Sequence, residues 1–135
     1  MRAISRLFLP LAVCAAATVS LWAADSALSA GGLRCEYAAN PLGVSAAHPR
    51  LSWVLSSDRR AERQTAYQIL VASTREKAEA GQADLWDSGK VATAESVQVP
   101  YQGKPLRSRE RCFWKVRAWD SRSVPSAYSA VAEWE

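Results

Sequence analysis

The chain has 135 residues, 49% of them hydrophobic and 22% charged, with a formal net charge of +4 and no low-complexity tract. That length leaves room for a single domain once a leader is set aside, and so small a charge lacks the concentrated basic face that nucleic acid requires. Six Trp against two Phe suit a β-protein or an aromatic contact surface better than a helical bundle.

Residues 1–23 have the layout of a secretory signal peptide. Arg2 and Arg6 make a basic start, Leu7 to Trp22 is uncharged and apolar, and Ala23 and Ala24 form a small-residue exit before Asp25. Two other readings stay open. The apolar run is close to the about 20 residues needed to span a membrane as an uncleaved anchor. Leu11-Ala12-Val13-Cys14 outlines a lipoprotein box, with Val13 where a small residue is wanted. All three export the domain, so a secreted or periplasmic location is expected, with no membrane contact after cleavage. Loss of Arg2 and Arg6 leaves 15 cations against 13 acids, a net charge of +2. Cys14 leaves as well. Cys35 and Cys112 remain, and in an oxidising compartment two cysteines can pair.

Residues 24–32 are small and read as a linker to a domain over 33–135. Leu33 to Tyr37 alternates, with Leu33, Cys35 and Tyr37 on one face, and ends at the turn Asn40-Pro41-Leu42-Gly43. Arg50 to Ser56 is the second predicted strand, with Leu51, Trp53 and Leu55 inward. Thr65 to Ser73 is the third, with Tyr67, Ile69 and Val71 alternating. Thr74 to Ala83 is the one predicted helix, capped by Ser73 or Thr74 and stopped at Gly81. Asp84 to Lys90 reads as a short edge strand and Glu95 to Tyr101 as another, with Val97 and Val99 inward. Arg111 to Asp120 is the clearest strand. Cys112, Trp114, Val116 and Ala118 share one face, and Phe113, Lys115, Arg117 and Trp119 share the other. Tyr128 to Trp134 closes the set.

About seven short strands with turns between them predict an all-β sandwich of two antiparallel sheets rather than a parallel sheet with crossover helices. Its expected core is Trp53, Tyr67, Ile69, Val71, Val97, Val99, Trp114 and Val116.

Several blocks carry a family resemblance. They are Leu33-Arg34-Cys35-Glu36-Tyr37 with Asn40-Pro41-Leu42-Gly43, Pro49-Arg50-Leu51-Ser52-Trp53, Gln64 to Ala72, Leu85 to Val91, and Trp114 to Asp120. In this order and spacing the chain resembles the start of bacterial α-L-rhamnosidases of glycoside hydrolase family 78. The resemblance covers Leu33 to Glu135. It implies a fibronectin-type-III-like or immunoglobulin-like sandwich at the N-terminus of a much longer inverting enzyme. In that family the catalytic acids lie on a downstream (α/α)-barrel, to which nothing in this chain corresponds. A fragment or split gene product, whose partner is that barrel in cis or on another chain, is the expectation, and no catalytic residue carries over.

The residues agree. An inverting glycosidase needs two carboxyl groups about 6.5–9.5 Å apart; Asp84 and Asp87 are the nearest candidates, beside Ser88-Gly89 where turn-forming Asp is ordinary. His48, the single histidine, precedes Pro49 without the partners that a triad or metal site needs. No cofactor is expected. Trp86, Phe113, Trp119 and Trp134, with Arg117, are candidates either for stacking on sugars or for docking a neighbouring domain; outward aromatics on an enzyme module favour docking. A generic adhesion module is the third reading. In sandwiches of the resembled type the position of Cys112 usually holds a tyrosine that pins the preceding loop, where Leu106 fits. A Cys35–Cys112 disulfide is conceivable as a replacement pin, with two buried free thiols as the alternative.

Overall fold

Strand β6 (Cys112–Trp119) is the longest element, and its neighbours are arranged around it. The computed structural model describes residues 25–135; the expected leader and cleavage site lie outside the described residues. β6 pairs antiparallel with β3 (Ala66–Ala72) over seven registered positions, from Ala66 opposite Trp119 to Ala72 opposite Phe113. β4 (Trp86–Asp87) and β7 (Ala132–Trp134) flank this pair, giving a four-stranded sheet in the order β4-β3-β6-β7. The facing sheet has three strands, β1 (Ser29–Cys35), β2 (Arg50–Ser56) and β5 (Val99–Pro100), in the order β1-β2-β5. All pairings are antiparallel. This is the two-sheet sandwich that the strand spacing predicts.

The core lies where the alternation puts it. Leu51, Ile69, Val71, Val116 and Cys112 are fully buried, and Trp53, Trp114 and Val99 nearly so. Aromatic edges link them: Trp86, Tyr101, Trp134 and Trp114 follow one another in T-shaped contacts at 5.4, 5.7 and 6.5 Å. Such contacts add about 0.5–1.5 kcal/mol each beyond area burial. Trp53 meets Tyr67 at 5.1 Å, and its indole N–H donates to Gln64 Oε1 at 3.0 Å. Gln64, itself buried, spends its amide on the carbonyls of Thr93 and Glu95. A polar side chain therefore closes the sandwich beneath an aromatic pair without leaving a group unpaired.

The structure departs from the sequence expectation at two strands, β1 and β5. β1 begins at Ser29, so Ser29 to Gly32 of the expected linker pairs with β2, and the register shifts between Gly31 and Arg34. Tyr37 is outside the strand and 55% exposed, because Glu36 and Tyr37 both adopt left-handed φ (48° and 68°) and turn the chain out. Val97 is 60% exposed rather than inward. Gln98 at φ 56° breaks the alternation that Glu95 to Tyr101 suggested, and β5 shrinks to Val99–Pro100. The predicted helix forms as α1 (Arg75–Glu79), with Thr74 as N-cap accepting from Lys77 N and Gly81 in the left-handed region beyond its end.

Candidate interaction surface

Phe113, Lys115, Arg117 and Trp119 follow strand parity onto the face of β6 opposite the core, but they are not exposed. Phe113 and Trp119 are 7% exposed and Lys115 8%. What covers them comes from distant parts of the chain. Helix α1 packs Ala78 onto Ala72 and Phe113, and Arg75 and Arg111 sit over the Phe113 ring, each 5.3 Å from its centroid. Lys115 Nζ donates to the carbonyl of Glu79 at the helix end and lies 4.6 Å from the Tyr128 ring. Arg117 stacks between Trp119 and Tyr128 at 4.8 and 4.9 Å, while Lys90 covers Trp119 at 5.0 Å.

The polar ends of this ladder are matched inside the molecule. Gln68 Oε1 accepts from Arg117 Nε (3.0 Å), Arg117 Nη2 (2.8 Å) and the Tyr128 hydroxyl (3.1 Å), and Gln68 Nε2 donates to Asp87 Oδ1. A cation over a ring contributes about 0.5–1 kcal/mol at exposed sites and more where water is excluded. The row is therefore a self-covered seam. It is not an open platform on which a sugar ring could stack.

The remaining candidates are also occupied structurally. Trp134 is 2% exposed and belongs to the core. Trp86 is half-buried against Tyr101. Asp84 accepts from the Ser73 N–H and hydroxyl and from Lys77 Nζ. Partial burial works against its charge, but those bonds and the Lys77 ammonium win, and its pKa falls to about 2. Asp87 caps Gly89 N at 2.8 Å. A general acid requires a raised pKa, the opposite of what Asp84 has, and Asp87 is occupied by Gly89 N and Gln68 Nε2. His48 Nδ1 meets the Tyr101 carbonyl at 2.9 Å. Among the described residues no group of three or more His, Cys, Asp or Glu converges as metal ligands do.

Cys35 and Cys112 are both buried and both free, with Cys112 Sγ turned 4.0 Å from the Glu110 carbonyl. Burial, then the neighbouring carboxylates Glu36 and Glu110 respectively, pushes each thiol up to about 12. The loop pin absent at position 112 is supplied elsewhere: Tyr101 donates its hydroxyl to the Lys104 carbonyl at 2.7 Å. Leu106 is only partly buried against the core.

Besides the Tyr101 pin, sequence reasoning missed Asp120. Asp120 is fully buried and accepts from the backbone of Ala27, Arg122 and Val124, and from the Ser26 hydroxyl and Arg122 guanidinium. Burial disfavours its charge, yet the Ala27, Val124 and Arg122 N–H groups outweigh that and hold its pKa well below the usual carboxylate range. Asp120 followed by Ser121-Arg122-Ser123 is recognisable as an Asx turn; its second job, fastening the segment before β1, joins residues 93 positions apart.

The family described as Rha78A-like, N-terminal immunoglobulin domain, matches residues 30–135. The chain belongs to that family. An α-L-rhamnosidase of Streptomyces avermitilis is 49% identical over 110 residues, which is 82% of this chain and 10% of the relative. One from Alteromonas sp. is 44% identical over 97 residues, 71% of this chain and 10% of the relative. Among solved structures, the Streptomyces avermitilis α-L-rhamnosidase complexed with L-rhamnose superposes with a TM-score of 0.77 at 48% identity, covering 81% of this chain and 10% of that one. The α-L-rhamnosidase from Dictyoglumus thermophilum gives 0.77 at 43%, covering 79% of this chain and 12% of that one. The chain thus spans about a tenth of the length of the curated relatives it matches, and the family's N-terminal β-sandwich is the part it holds.

Proposed function

We propose that this immunoglobulin-like domain is the non-catalytic N-terminal module of an exported α-L-rhamnosidase, and that it works by docking against and supporting the catalytic (α/α)-barrel. The observation that carries the reading is the employment of its chemistry. The two candidate carboxylates, the histidine and the aromatic–cation row are each engaged in holding the sandwich together. The stretch that matches is only 10% of each relative's length.

Activity on a nitrophenyl α-L-rhamnoside is the direct test. The 135-residue chain is expected to release no nitrophenol above a buffer blank; release that scales with protein would overturn the reading. Affinity electrophoresis in plant or bacterial polysaccharide separates docking from sugar binding, since retardation is expected only of a sugar binder. Export is the second part of the proposal. It rests on the basic, apolar and small-residue order of residues 1–23, and recovery of protein beginning at Ala24 from the periplasm or medium is the expected outcome.

A further inference from the structure

The chain's last residues are fastened to one end of the sandwich. Glu135 N donates to the Pro41 carbonyl (3.1 Å), Val44 N donates to the Glu135 carbonyl (2.7 Å), and Glu133 N donates to Asn40 Oδ1 (3.0 Å). β7 is thereby extended along the loop 40–44. Beside it, the loops 41–47 and 106–110 bound an open cleft of about 500 Å³ whose lining includes Val44, Leu106 and the edge of Trp134. Leu42, on the loop that Glu135 grips, is 79% exposed, against 60% for Val54 and Val97 and 55% for Tyr37. Arg107 and Arg109 stand exposed on the opposite loop. Neither has an ion-pair partner among the described residues, whereas Arg111 is engaged by Glu133 and Glu135.

We propose that this end is the docking surface for the domain that follows the module in a rhamnosidase chain, with Leu42 and the cleft taking an apolar patch and Arg107 and Arg109 pairing with carboxylates around it. The proposal rests on the reading above that the module docks in cis, narrows the partner to the domain joined directly to it, and says where the docking occurs. Its argument is one of tethering and chemistry. In the longer relatives this sandwich is N-terminal, so the polypeptide continues from the position of Glu135. A residue held by two backbone hydrogen bonds to the loop fixes the direction in which the next segment leaves. A short tether raises the effective concentration of what it carries at the surface nearest the exit. That surface has both elements of a small interface, an uncovered apolar side chain and unpaired guanidinium groups.

The test uses the Streptomyces avermitilis enzyme with its N-terminal module replaced by residues 25–135 of this chain, so that the Ser26 and Ala27 contacts to Asp120 are kept. One variant carries Leu42→Asp with Arg109→Glu, and a second carries Val54→Asp with Val97→Asp on the outer face of β2 and its neighbouring loop. Thermal unfolding of the whole enzyme and proteolysis at the junction are followed. Circular dichroism of the 135-residue chain with the same substitutions checks that the sandwich stays folded. The expected result is that Leu42→Asp with Arg109→Glu uncouples the module into its own transition and speeds junction cleavage about tenfold. The Val54/Val97 variant should behave as the unsubstituted chimera. Coupling lost only in the Val54/Val97 variant moves the interface to the sheet face and overturns the proposal. Coupling retained in both variants also overturns it. A module that melts independently even in the unsubstituted chimera refutes the docking reading itself.

Discussion

Replacing Gly103 by alanine should be among the costliest single-methyl additions this domain can suffer, for a reason of volume alone. A Cβ there would lie 2.5 Å from Trp86 Cβ, 2.5 Å from Tyr101 Oη and 2.6 Å from the Leu85 carbonyl oxygen, where ordinary contact is 3.4–4 Å. Two of those atoms cannot swing aside: Trp86 Cβ is fixed by β4, and Leu85 is bonded through its N–H to the Val71 carbonyl and through its carbonyl to Lys104 N. The third is the hydroxyl that pins the turn. Relief therefore means shifting β4 away from Tyr101 or giving up the Tyr101–Lys104 bond. Overpacking costs about 1–3 kcal/mol and a lost hydrogen bond about 1 kcal/mol, so a loss near 3 kcal/mol is expected. At about 4–8 °C per kcal/mol for a domain of this size, the thermal midpoint should fall by about 12–24 °C. Urea and thermal unfolding followed by circular dichroism measure it. Gly81→Ala is the control, since position 81 has open space but φ +75° and should cost only about 1 kcal/mol of backbone strain. If Gly103→Ala is no worse than Gly81→Ala, the close approach of turn and strand is not as described.

Gln64→Leu should cost about 2–4 kcal/mol, because the Trp53 N–H and the Thr93 and Glu95 carbonyls lose their partner at once; urea titration measures it, and a neutral result would mean that water replaces the amide. Asp120 has a folded pKa below its unfolded value of about 3.9. Its contribution is therefore complete above that value and is lost as pH falls toward the folded one. Asp120→Asn should flatten the decline of the thermal midpoint below about pH 5, and a variant whose midpoint falls as steeply as the native chain's would assign acid sensitivity elsewhere. Cys35 and Cys112, raised to about 12, should resist iodoacetamide at pH near 8 in the folded chain and both react after unfolding without reductant. A mass two hydrogens lighter with no alkylation would instead establish the disulfide.

How far the sequence carries depends on the distance over which each feature is decided. The inward row of β6 was legible because Cys112, Trp114, Val116 and Ala118 obey a two-residue period that any half-buried strand must show, and Arg50 to Ser56 likewise has the boundaries its pattern suggests. The outward row of β6 was placed on the right face but given the wrong environment. Nothing near Phe113 or Trp119 in sequence says that Arg75, Lys90 and Tyr128 will close over them. Val97 failed for the opposite reason, a single left-handed residue at Gln98 that alternation does not encode. The pin at Tyr101 was not legible because the resembled family's position falls at Cys112 on β6, whereas the hydroxyl reaches the same kind of loop carbonyl from just beyond β5 in the facing sheet.

These corrections together relocate the surface that matters. Six Trp and a basic row on the central strand direct attention to the four-stranded sheet, yet that face covers itself, and Trp134 and Trp114 lie inside. Among the described residues, the large apolar side chains that are exposed, Tyr37, Leu42, Val54 and Val97, belong instead to the three-stranded sheet and the loops that join it. Single exposed apolar residues need no explanation. Leu42 differs from Val54 and Val97 because it stands on the loop that holds Glu135, beside a cleft and opposite two unpaired arginines. Aromatic content therefore points to how this module is built. Where it meets a neighbour is better judged from groups its own fold leaves unmatched, and at the end from which the longer relatives continue an exposed leucine, a cleft and two unpaired arginines lie together.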